Sequence, residues 1–237
     1  GLNTEDPQTI RMLKYFQTIQ AIGLFIAPSF LIAWLFSGEP LRYLSLDRQA
    51  PLLPVLMVIL LIFIINPFIN FTGALNGALH LPSWMEGLEE WMRTAEDNAE
   101  RLTRAFLETD TIGGLLFNLL MIAVLPALGE ELLFRGVIQK QLTVWTGSSH
   151  WGIWISAALF SALHMQFYGF VPRILLAAIF GYLLVWSGSL WLPILAHFTN
   201  NAGAVLTLWF IDHDQLTPAV EEFGAGTQYW PWALASL

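Results

Sequence analysis

Cysteine is absent from the 237 residues. That excludes thiol catalysis, disulfides, zinc–thiolate sites and iron–sulfur clusters. Charge is scarce as well. Only 12% of the residues are Asp, Glu, Lys or Arg, about half the ~25% of a soluble domain. Lys and Arg total 10 against 18 acids, for a net charge of −8. A chain this acidic lacks the cations a phosphate backbone demands, so nucleic acid is excluded as a partner. The sequence also lacks a His-Glu-x-x-His zinc motif and a Gly-x-Ser-x-Gly elbow, which removes two common hydrolase classes. No Asp falls within an apolar segment, which excludes an aspartyl intramembrane protease. Internal repeats and low-complexity tracts are missing too.

What remains is 56% hydrophobic, with 11 Trp and 17 Phe, a composition suited to membrane spans with aromatic belts. Apolar segments run over about 15–36, 52–75, 112–142, 151–164, 174–186 and 190–211. The expected fold is therefore all-α: one integral membrane domain over residues 1–237, a polytopic bundle of about six spans with a C-terminal stub. The chain begins at Gly1 and stops inside an apolar stretch, and it reads as cut at both ends. Asn66, Asn70 and Thr72 in the second segment are expected to bond neighbouring helices.

Residues 81–110 differ in kind. Trp84, Leu88, Trp91, Ala95, Leu102 and Phe106 recur at helical spacing, while the other faces carry Glu89, Glu90, Glu96, Asp97 and Glu100 with three Arg. This predicts an amphipathic surface helix, opened by a Ser83/Glu86 capping box. Its acidity suits packing on the protein's own membrane domain better than on anionic lipid.

The organising stretch is Pro126 to Arg135, Pro-Ala-Leu-Gly-Glu-Glu-Leu-Leu-Phe-Arg. Glu131 and Arg135 are four apart, share a helix face and should pair. Glu130 points about 100° away from Glu131, so the two acids have different tasks. Pro126 removes the helical bond to the carbonyl of residue 122. His164 ends the fourth segment, and His197 and Asn201 sit one turn apart in the sixth. Helical rise places all of them at comparable depth, in a zone expected to open toward the 143–150 loop. Ionisable groups within a membrane are costly unless used.

One Glu, two His and an amide suit two chemistries. In one, a carboxylate takes a proton from water, a histidine assists, and the second histidine and the amide donate to an oxyanion. In the other, Glu130, His164 and His197 hold a Zn2+ ion with an open position. Membrane Glu and His also serve proton relays, so a proton-coupled transporter is the alternative, with a non-catalytic immunity or scaffold protein as a third reading.

Glu130-Glu131-x-x-x-Arg135, Phe160-x-x-x-His164 and His197-x-x-x-Asn201, in this order, resemble the three motifs of the CPBP family of membrane proteins. That family holds type II CAAX prenyl endopeptidases and bacteriocin-processing or self-immunity (Abi-type) proteins. The likeness covers about Ile112 to Phe210. It implies an intramembrane endopeptidase acting on membrane-associated peptides or proteins in the lipid bilayer, with the bacterial cytoplasmic membrane as the expected location. By the same resemblance Glu130 activates water with help from His164, and His197 and Asn201 stabilise the oxyanion. Glu131 and Arg135 shape the site, and Phe160 packs beside it. The family's chemistry is described both as zinc-dependent and as a metal-free glutamate mechanism.

Overall fold

The structure is a computed structural model that describes residues 6–220 and 223–236. Its framework is helical throughout: α1 (Pro7–Ser37), α2 (Leu52–Gly77), α3 (Glu86–Leu107), α4 (Ile112–Thr146), α5 (Ser149–Leu163), α6 (Phe170–Ser187), α7 (Trp191–Asp212) and the short α8 (Trp230–Ala235). The protein is an all-α polytopic membrane bundle. Five of these helices (α1, α2, α4, α6 and α7) are long and apolar enough to cross a membrane. The sixth expected span, α5, has 15 residues. At 1.5 Å per residue that is ~22 Å, short of a ~30 Å hydrocarbon core. His164, its C-cap, opens the 164–169 loop.

Local sequence sets the ends. Asp6 caps α1 by accepting from the N–H groups of Gln8 and Thr9, with Pro7 at the first helical position. Thr111 caps α4 through the N–H of Gly114. The α4–α5 and α6–α7 hairpins turn on Gly147 and Gly188, both left-handed at φ 67° and 68°. These two hairpins share one rim with the 38–51 loop. There Ser189 Oγ donates to the Arg48 carbonyl at 2.6 Å, Leu190 N to the Ser45 carbonyl at 3.0 Å, and Lys140 Nζ to the Tyr43 carbonyl and Ser45 Oγ. The opposite rim holds α3, the 164–169 loop and the C-terminal segment.

At the centre, α4 packs on α1, α5 and α7, while α7 packs on α2, α4 and α6. Wide π-helical turns interrupt α4 at Leu119–Val124 and Phe134–Ile138, on either side of the two glutamates. Such turns free backbone carbonyls for other partners. Close approach is needed beside the site: a Cβ on Gly129 would meet Phe25 Cβ at 2.9 Å and the Ala21 carbonyl at 3.3 Å on α1.

α3 is the predicted amphipathic helix, with two corrections. Its apolar stripe is mostly uncovered. Trp84 is 81% and Trp91 50% exposed, and burial is confined to Phe106 and Leu107. The capping box does not form, because Ser83 opens a separate turn and Met85 takes the cap position with no side-chain bond. Glu89 replaces it. Its carboxylate accepts the Leu81 N–H at 2.7 Å and two hydrogen bonds from Arg93, and it bonds His80 Nδ1 at 2.9 Å. These donors, Arg93 first, hold the Glu89 carboxyl down at about 2.

Candidate functional site

Glu130 and Glu131 sit near the middle of α4 and face different surroundings. Glu131 is fully buried. Its Oε1 accepts from Arg135 Nη1 at 2.8 Å and from His197 Nδ1 at 2.8 Å. The Arg135 cation and the anionic Glu131 make Nδ1 of His197 the donor of that contact. Arg135 is itself buried, gives Nη2 to the Ala177 carbonyl at 2.9 Å, and lies 4.9 Å from the Phe160 ring. The predicted i,i+4 pair is therefore real, and it fixes a histidine from another helix.

The far edge of that imidazole faces Glu130. His197 Nε2 lies 3.8 Å from Glu130 Oε2. Phe180 stacks on the ring at 5.4 Å, and Phe160 meets it edge-on at 6.0 Å. Phe160 also contacts His164 at 4.9 Å. His164 bonds the Phe160 carbonyl through Nδ1 at 2.9 Å. A carbonyl only accepts, so Nδ1 of His164 carries the proton and Nε2 keeps a lone pair in the neutral ring.

Asn201 is one turn beyond His197 on α7. Its Nδ2 donates to the Ile122 carbonyl at 3.0 Å, and its Oδ1 accepts from Asn200 Nδ2 at 3.1 Å. Ile122 is the residue whose helical partner Pro126 cannot be.

Glu130, His164, His197 and Asn201 line one cavity of about 700 Å³. Its walls also include Phe160, Arg173, Asn66, Asn70, Thr199 and Asn200. The direction expected for its mouth was wrong. None of residues 143–150 lines it, whereas Gly169, Thr207, Leu208 and Val220, toward the opposite rim, do. Asn66 and Asn70, expected to tie helices together, instead face this space. Asn70 Nδ2 donates to the Phe223 carbonyl of the C-terminal segment at 2.9 Å. Asn200 and Arg173 are site residues that the sequence did not single out.

Zinc was the other chemistry open to these residues. Among the described residues no three His, Cys, Asp or Glu side chains converge as a metal-ligand set. His197 and His164 each commit Nδ1, to Glu131 and to the Phe160 carbonyl, and keep Nε2 toward the cavity, an orientation compatible with either chemistry. Glu130, His164 and His197 line the same cavity but are not gathered as a three-ligand set in this arrangement.

The geometry defines a polytopic membrane protein with a carboxylate–imidazole cavity inside its bundle. Comparison with known proteins takes this further. Residues 112–203 match the family described as Rce1-like, type II CAAX prenyl endopeptidase Rce1-like. The resemblance read from the three motifs is thus shown over the segment that carries them. The uncharacterized protein YpbD of Bacillus subtilis (strain 168) is 30% identical over 89 residues, which is 36% of this chain and 42% of that protein. The matched region spans under half the length of this curated relative. No solved structure matches.

Proposed function

We propose that the chain is an intramembrane endopeptidase of the bacterial cytoplasmic membrane that hydrolyses peptide bonds of membrane-associated substrates with water activated by Glu130. One observation carries this reading. Glu130 Oε2 faces His197 Nε2 across 3.8 Å, while Nδ1 of the same ring is held by the buried Glu131–Arg135 pair. A carboxylate beside an oriented imidazole, in a cavity that admits water, is an acid–base device.

The chemistry follows from the donors. A water in the gap gives a proton to Glu130 as its oxygen attacks the scissile carbonyl carbon, with the Nε2 lone pair of His164 helping to orient it. The carbonyl oxygen becomes an oxyanion. Asn201 has a second Nδ2 hydrogen, not used by Ile122, to offer it. His197 offers Nε2–H when its ring is the imidazolium, since Nδ1–H is engaged by Glu131. Collapse of the intermediate breaks the C–N bond, and the leaving amine takes the proton held by Glu130. The new carboxylate and amine account for the water consumed.

The test is reconstitution of the purified protein in lipid vesicles with an internally quenched apolar peptide. The expected result is peptide cleavage that persists after dialysis against a chelator, with no proton movement reported by an enclosed pH dye. Proton-coupled flux without cleavage would make the protein a carrier.

A further inference from the structure

Arg173 is the cation that the hydrolytic scheme leaves unused. It sits in the first turn of α6, on the wall of the same cavity as Glu130 and His164. Its Nη2 donates to Gln166 Oε1 at 2.5 Å, a neutral oxygen supplied by the 164–169 loop. Its Nη1 is buried and has no hydrogen-bond partner. Among the described residues no carboxylate lies within ion-pair distance of it. Arg135 shows the contrast, with an acid on Nη1 and a carbonyl on Nη2. A buried charged donor without a partner is expensive, and a guanidinium presents two parallel N–H groups that match the two oxygens of a carboxylate.

We propose that Arg173 is a specificity-determining residue that binds a carboxylate of the substrate inside the cavity. The amide oxygen of Gln166 occupies the place of one carboxylate oxygen, and Nη1 is left for the other. Gln166 lies two residues past His164, so a substrate that takes over Nη2 releases the loop next to a catalytic histidine. The carboxylate is either the substrate's C-terminus or an acidic side chain. The proposal rests on the hydrolytic reading of the cavity, and binding measurements separate the two.

The probe is an apolar fluorescent peptide in three forms: free C-terminal acid, C-terminal amide, and amide with one glutamate. Binding is measured by anisotropy in the inactive Glu130→Gln protein, and cleavage in the protein with Glu130 intact. A charge-assisted pair predicts that one carboxylate-bearing form, the free acid or the glutamate amide, binds at least about tenfold more tightly than the plain amide. The further change Arg173→Gln removes that preference, Arg173→Lys keeps part of it, and Gln166→Ala leaves it in place. Preference for the glutamate form over the free acid assigns the carboxylate to a side chain. Equal binding of all three peptides, or equal weakening of every peptide in Arg173→Gln, overturns the proposal and makes Arg173 a prop for the loop. Arg173-dependent binding with no cleavage keeps the anchor and overturns the hydrolase.

Discussion

Asn201 Nδ2 donates to the carbonyl of Ile122 at 3.0 Å, the carbonyl that Pro126 leaves without its helical amide. A proline in one helix thus provides the acceptor that orients an amide in another. The link ties a backbone feature of α4 to the proposed oxyanion donor of α7. Pro126→Ala restores an N–H that competes for Ile122. It is expected to cut cleavage by about tenfold or more while leaving thermal stability equal or higher, because a helix interior favours Ala over Pro. Asn201→Ala should cost roughly 10²–10³ in kcat. If Pro126→Ala lowers stability and leaves kcat intact, the backbone link has no catalytic role.

The Glu131–Arg135–His197 chain makes a sharper forecast. Arg135→Ala strands the buried Glu131 charge and should destabilise by about 3–5 kcal/mol. Replacing both members, as in Glu131→Leu with Arg135→Met, removes both charges and should recover most of that stability. Activity should not return with it, because His197 Nδ1 has lost its acceptor. Thermal unfolding in detergent and peptide cleavage, measured on the same samples, separate these effects. Recovery of cleavage in the double variant would show that Glu131 does not position His197.

Glu89 sets a pH limit on the α3 surface. Its carboxyl is lowered from 4.5 to about 2, with the Arg93 hydrogen bond as the largest cause. A depressed carboxylate contributes its full stabilisation above the unfolded value of 4.5 and loses it as pH falls through about 2. Pepsin should therefore cut slowly within residues 79–93 at about pH 3.5 and faster near the lower value. Glu89→Gln should be cut quickly at both. Equal protection of the Gln variant would mean that the hydrogen bonds to Leu81 and Arg93 do not hold this segment.

Much of the site was legible because its signals are local or costly. Glu131 and Arg135 pair as their i,i+4 spacing requires, and Glu130 looks elsewhere as its 100° offset demands. The histidines and Asn201 stood out because polar groups on membrane segments need a reason. Arg173 did not stand out, since an arginine just past the break at 166–172 is what a headgroup region would also carry. Its membership of the cavity depends on how far α5 falls short of a full span and where α6 restarts. The mouth of the cavity was misjudged for a related reason. Helical rise gives depth along each segment, whereas the opening is decided by which loops fold over each rim. The capping box failed because Pro82 and the 83–85 turn displace the start of α3, and a carboxylate three residues further on serves the N–H of Leu81.

The central claim is that Glu130 delivers water directly to a peptide bond. Single-turnover cleavage in oxygen-18 water, read by mass spectrometry of both peptide and protein, addresses it most directly. The account predicts heavy oxygen in the new C-terminal carboxylate in the first turnover, no label in the tryptic peptide holding Glu130, and no product from a folded Glu130→Gln variant. Unlabelled first-turnover product with label in Glu130, or undiminished cleavage by Glu130→Gln, would contradict it.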